Sequence, residues 1–118
     1  MESALRDLLQ QVVTLEASDL HLRAGAVPKV RRSGALEPLP VPAAGPDDLA
    51  RMLASAMTPD VLATFERDLE ADFAIAAEGI GRFRVNAFRS RGAVGAVLRR
   101  IGEDPLPLDA LGMPEAVG

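Results

Sequence analysis

Arg82-Phe83-Arg84-Val85-Asn86-Ala87 alternates without a break between a polar residue and an apolar one. Successive side chains of a strand point to opposite faces, so Phe83, Val85 and Ala87 share one face and Arg82, Arg84 and Asn86 share the other. Just upstream, Glu78-Gly79-Ile80-Gly81 predicts a hairpin loop, and Phe73 and Ile75 alternate with smaller or polar neighbours before it. Downstream, Ser90-Arg91-Gly92 predicts a turn, and Ala93 to Ile101 predicts a final strand that carries Arg99-Arg100 near its end. The last third therefore reads as a three-stranded meander.

The first third predicts a helix and three strands. Leu5, Leu8, Leu9, Val12 and Val13 recur at helical spacing, with Ser3 as the expected cap. Leu20 and Leu22 alternate with Asp19, His21 and Arg23, the mark of a short half-buried strand. Gly25 to Pro28 ends it. Lys29–Arg32 and Ala35–Leu39 predict two more strands turning through Ser33-Gly34. Residues 38–46 hold four prolines and form a loop.

Two helices follow with clear start signals. Pro46 suits a first helical position, with Asp47 and Asp48 at the positive end of the helix dipole. Leu49, Met52, Leu53 and Ala56 form the expected buried face. Thr58-Pro59-Asp60 repeats the logic, and Val61, Leu62 and Phe65 face inward. The expected architecture is α+β: a mostly antiparallel sheet of about six strands, with three helices against one face.

Composition narrows the function. The 118 residues fit one domain, and an apolar fraction of 48% supports a folded core built largely from aliphatic side chains. There is no cysteine, which excludes disulfides and thiolate metal sites. No apolar run approaches the roughly 20 residues that span a bilayer, and residues 1–16 carry too many charges for a signal peptide. A cytoplasmic domain is expected. Net charge is −4, yet Arg82, Arg84, Arg89, Arg91, Arg99 and Arg100 fall within one segment free of acids. Such a cluster gathers anions, and guanidinium groups bind phosphate through paired hydrogen bonds. The competing reading is a solvated sheet face paired with Glu66, Asp68, Glu70 and Asp72.

Other chemistry finds little support. Lys29 is the only lysine and no glycine run precedes it, so there is no phosphate-binding P-loop. His21 is the only histidine, which argues against a metal site. No serine has a base at a useful spacing. The acidic total charge and the scarcity of aromatic residues argue against nucleic acid as a partner.

Ala17-Ser18-Asp19-Leu20-His21-Leu22, Gly25, Pro28, Val30-Arg31 and Gly34-Ala35-Leu36 resemble the opening of the type IV pilus retraction ATPases, the PilT family of twitching motility. Met57-Thr58-Pro59, Phe65-Glu66, Asp72-Phe73, Gly81 to Phe88, Arg91-Gly92, Leu98-Arg99 and Leu111-Gly112-Met113-Pro114 continue in the family's order. The resemblance implies a PAS-like N-terminal domain over residues 1–104. It makes residues 105–118 the start of a linker to a RecA-like ATPase domain that holds the P-loop and catalytic carboxylate.

The resemblance further implies a homo-hexameric ring in which each N-terminal domain meets the RecA-like domain of its own and the neighbouring subunit. ATP and Mg would be bound by the full-length parent, with no cofactor held and no reaction catalysed by this chain alone. Arg31, Arg82, Arg84, Arg91 and Arg99 are carried over as arginines facing the nucleotide in trans. Asp19 and His21 are carried over as interface residues. The expected location is cytoplasmic and peripheral to the inner membrane, beside the pilus machinery. Arg32-Ser33-Gly34 departs from the family's usual Val-Asp-Gly, and Arg89 and Arg100 have no counterpart. Two alternatives stand beside this reading: a PAS-type module sensing a small anion, and the N-terminal domain of a type II secretion or pilus-assembly ATPase. Leu20-His21-Leu22-Arg23-Ala24-Gly25 favours retraction over the Ile-His-Ile and Glu-Pro pattern of the latter.

Overall fold

The computed structural model describes residues 1–90 and 93–102. Three helices and six strands run in the order α1 (Ser3–Thr14), β1 (Asp19–Arg23), β2 (Lys29–Arg32), β3 (Ala35–Pro38), α2 (Pro46–Ala54), α3 (Pro59–Asp68), β4 (Glu70–Ala77), β5 (Gly81–Ser90) and β6 (Ala93–Gly102). This is the expected α+β architecture. The linker assigned to 105–118 and the turn residues Arg91 and Gly92 lie outside the described residues.

The strands form one sheet in the order β3-β2-β1-β6-β5-β4, with every neighbouring pair antiparallel. The two meanders, one from each end of the chain, are joined where β1 pairs with β6, Asp19 opposite Arg99 and Arg23 opposite Gly95. All three helices cover one face. Leu5, Leu9 and Val12 of α1, Leu49 and Leu53 of α2 and Phe65 of α3 pack with Leu20, Val30, Phe83, Val85, Val94 and Leu98 of the sheet. The alternation around Phe83 holds as expected: Phe83, Val85 and Ala87 are buried, while Arg82 and Arg84 are exposed on the opposite face.

Local signals and tertiary contacts divide the work of fixing the helix ends. Thr58 Oγ1 accepts from the Val61 N–H at 3.3 Å and Pro59 opens α3, as its sequence predicts. Ser3, the expected cap of α1, is instead its first helical residue, and the cap position belongs to Glu2. Glu2 makes no side-chain capping bond within its helix. Its N–H donates to Ser55 Oγ at 3.0 Å and its carboxylate accepts from Arg51 Nε at 2.9 Å. The start of α1 is thus tied to α2 rather than capped by its own sequence. Ala56 lies beyond the end of α2 and is half-buried.

The strand boundaries shift slightly. β3 stops at Pro38: the Leu39 N–H still donates to the Pro28 carbonyl at 2.9 Å, but Pro28 has no N–H to return the bond. Ser33 (φ 51) and Gly34 (φ 84) both adopt the left-handed region, as a two-residue turn between β2 and β3 requires. The β4–β5 loop spans residues 78–80, with Ala77 opposite Gly81.

Candidate functional site: the helix-free face of the sheet

No described helix covers the second face of the sheet, and the strand registers set a row of side chains across it. Leu36 of β3 lies opposite Arg31 of β2, Arg31 opposite Asp19 of β1, Asp19 opposite Arg99 of β6, Arg99 opposite Arg84 of β5 and Arg84 opposite Ala74 of β4. Three of the expected arginines, distant in sequence, therefore stand in one line. Neighbouring strands lie about 4.8 Å apart, so Arg99 and Arg84 stand side by side and Arg31 lies two strands from Arg99.

Asp19 organises half of the row. It is the one buried charged residue among those described. Its Oδ2 lies 3.5 Å from Arg31 Nε and its Oδ1 3.3 Å from Arg99 Nε. The Ser18 hydroxyl adds a contact to Oδ2 at 3.3 Å. A carboxylate taken out of water needs such partners. Two guanidiniums on one carboxylate leave one positive charge over, and the Arg99 side chain stays 72% exposed. Asp19 was expected as an interface residue; it is buried inside its own domain.

The other half of the row is looser. Arg84 Nε is 3.9 Å from Asp72 Oδ1 and both side chains are mostly exposed, so solvent screens that pair heavily. Arg82 lies on the same face opposite Ala76, exposed, with no ion pair among the described residues. Asp68 is bound to Arg67 at 3.0 Å and Glu70 accepts from Asn86 at 3.4 Å. Of the four acids expected to neutralise the cluster, Asp72 approaches one of its arginines, Arg84.

The six-arginine run does not form one patch. Arg89 points to the helix side, its guanidinium 5.7 Å from the centre of the Phe65 ring. Arg100 lies opposite Phe83 rather than in the row, and its N–H donates to the Ser18 carbonyl. Arg91 lies outside the described residues. Arg31, contributed from far upstream, joins the row instead.

His21 shares the helix-free face one row along, between Lys29 of β2 and Val97 of β6. Its Nε2 is buried without a hydrogen-bond partner. No group of three or more potential metal ligands exists among the described residues, and no described helix is long and apolar enough to cross a membrane. Sequence reading missed two features here: the burial of Asp19 and the seat of Phe88 on Gly95. A glycine within Ala93-Val94-Gly95-Ala96-Val97 was the available signal for the second, since a glycine inside a strand often marks a close approach.

The chain is 37% identical over 108 residues to the type IV pilus ATPase PilU of Pseudomonas aeruginosa, and 37% identical over 99 residues to the retraction ATPase PilT of the same organism. These alignments cover 92% and 84% of the chain. The fold superposes on the crystal structure of the pilus retraction motor PilT with bound ADP at a TM-score of 0.76, with 35% identity over 85% of the chain. The chain is a PilT-family N-terminal domain. A twitching motility protein of Neisseria gonorrhoeae is 30% identical over 91 residues. The Legionella pneumophila ATPase DotB shares the fold at a TM-score of 0.68, with 20% identity. No family model matches the chain. This PilT-type domain spans 28% and 29% of the length of the two Pseudomonas relatives.

Proposed function

We propose that the domain acts within a ring-shaped pilus-retraction ATPase, where its helix-free sheet face meets an ATPase domain and presents arginines to the phosphates bound there. The observation that carries this reading is the row itself. Arg84 is held only at the edge of pairing range, Arg82 has no described partner, and Arg31 with Arg99 exceeds the single charge of Asp19. These groups have an open route to an outside anion.

In this proposal the domain is non-catalytic. Residues 1–104 lead into an ATPase domain that binds ATP and Mg, six subunits close the ring, and the ring works at the cytoplasmic side of the inner membrane. Arginines supplied to a phosphoryl-transfer site in trans are worth about 10³–10⁵ in rate in other systems, because the positive charge sits where negative charge develops. The likeness to PilU and PilT, and the ADP bound in the PilT crystal structure, support the reading.

The test joins this domain to the ATPase portion of the Pseudomonas PilT and measures ATP turnover. Arg84→Ala and the Arg82→Ala/Arg84→Ala pair should lower kcat at least about tenfold, the scale of one well-placed charge-assisted hydrogen bond. Unchanged turnover in a correctly assembled ring would refute the arginine role.

A further inference from the structure

The nucleotide reading leaves Arg89 unused. This arginine is half-buried on the helix side of the sheet, opposite the core residue Val94. Its guanidinium lies 5.7 Å from the centre of the Phe65 ring. That contact satisfies none of its five N–H donors, and no side-chain hydrogen bond or ion pair reaches it among the described residues. Arg6 and Arg31 are also half-buried, and each finds an acceptor: the Glu78 carbonyl for Arg6, the Asp19 carboxylate for Arg31. A guanidinium drawn out of water without an acceptor is costly, and an anion relieves that cost.

Arg89 lines a cleft of about 240 Å³ between α2 and α3. Ala50 and Ala54 stand one turn apart on α2, and their small side chains leave the space. Met57, Leu62 and Phe65 form the rest of the apolar wall. The volume exceeds the roughly 150 Å³ of an apolar cavity that holds benzene. It falls short of the roughly 300 Å³ at which ordinary ligand pockets begin. The cleft therefore suits a small apolar body.

The other charged residues of the lining limit the charge of that body. Arg51 is already met by Glu2 at 2.9 Å and Asp48 at 3.2 Å. Glu66 is exposed and has no ion pair among the described residues. An anion with one negative charge gains Arg89 at little cost from Glu66, which water screens. A dianion such as a phosphate monoester is repelled twice over, by Glu66 and by the surplus acid around Arg51. A carboxylate carries the single charge and matches the guanidinium fork with two parallel acceptors.

We propose that the α2–α3 cleft binds a small apolar monocarboxylate, with its carboxylate on the Arg89 guanidinium and its hydrocarbon body against Ala54, Leu62 and Phe65. Two sources offer this chemistry: a free short-chain acid, and the C-terminal carboxylate of a partner chain that ends in an apolar residue. A bound carboxylate ties α2 and α3 to the end of β5, the three elements that supply this lining. The site lies on the opposite side of the sheet from the Arg31–Arg84 row, so it stands independently of any nucleotide role.

The test follows the isotope-labelled 118-residue chain by NMR as isovalerate is added at fixed ionic strength. Saturable shifts are expected at the amides of Ala54, Leu62 and Phe65 and at the Arg89 side-chain N–H, with a Kd of about 1–10 mM, the scale of so small a ligand. Isovaleramide, which keeps the shape and loses the charge, should bind at least about tenfold more weakly, and Arg89→Gln should weaken isovalerate by the same factor. Ala54→Leu, which fills the cleft and spares Arg89, should abolish the shifts while the circular dichroism spectrum is kept. Inorganic phosphate should leave these amides unmoved. A short peptide ending in leucine separates the sources: binding tighter than isovalerate and lost on C-terminal amidation identifies a partner's terminus, and binding no tighter identifies a free acid. No saturable shift from either probe by about 50 mM, equal affinity in wild type, Arg89→Gln and Ala54→Leu, or shifts confined to the Arg31–Arg84 row would overturn the proposal.

Discussion

The ring of Phe88 rests on Gly95 across the β5–β6 pair: a Cβ at position 95 would stand 2.8 Å from one ring carbon and 2.9 Å from another. The Leu22 carbonyl, 3.0 Å away, closes the third side. Glycine is needed there for space and not for conformation. Gly95→Ala should therefore destabilise the domain by about 1–3 kcal/mol, the usual penalty of overpacking. Urea denaturation measures it. Combining it with Phe88→Leu should recover part of the loss, because the flat ring is the nearer obstacle.

Asp19 and its two arginines should respond unequally to truncation. Asp19→Ala leaves Arg31 and Arg99 facing each other without their shared anion and should lose about 1–3 kcal/mol. Arg31→Ala or Arg99→Ala alone leaves the carboxylate one guanidinium, and the lost partner is in contact with water in both cases, so either should lose less than about 1 kcal/mol. Thermal unfolding of the three variants distinguishes the cases; equal losses would contradict the shared arrangement.

Asp68 supplies a pH signature. The side-chain hydrogen bonds from Arg67, at 3.0 and 3.2 Å, hold its carboxyl below the ordinary value of 3.8. A carboxyl whose value is depressed on folding favours the folded state above its unfolded value. That contribution is lost as pH falls through the depressed value. Carboxyl-detected NMR titration should place Asp68 below 3.8 in the wild type, and Arg67→Ala should return it upward.

Arg82→Ala and Arg84→Ala should be silent in the isolated domain. Both side chains are exposed, and the sole described ion pair, Arg84 with Asp72, is long. Stability should change by no more than about 0.5 kcal/mol. The loss of turnover expected from the same substitutions in a ring then cannot be assigned to unfolding.

The elements were largely legible because each rests on a local rule. Phe83, Val85 and Ala87 share a face because strand geometry has a period of two, and Pro59 starts α3 because its missing N–H is harmless there. Glu2 escaped that reading since its partners, Arg51 and Ser55, belong to another helix. Families of motifs from Ala17 to Pro114 were enough to indicate the kinship that the PilU and PilT relatives show.

The sequence by itself determined the alternation, the helix starts, the acidic total and the arginine content. Only the tertiary structure decided which arginines act together. Pairing of β1 with β6 put Asp19 between Arg31 and Arg99, and the same sheet turned Arg89 away toward Phe65. Strand order depends on which apolar faces close over one core, a global choice that no local spacing encodes. The charge was written along the chain; the row was made by the sheet.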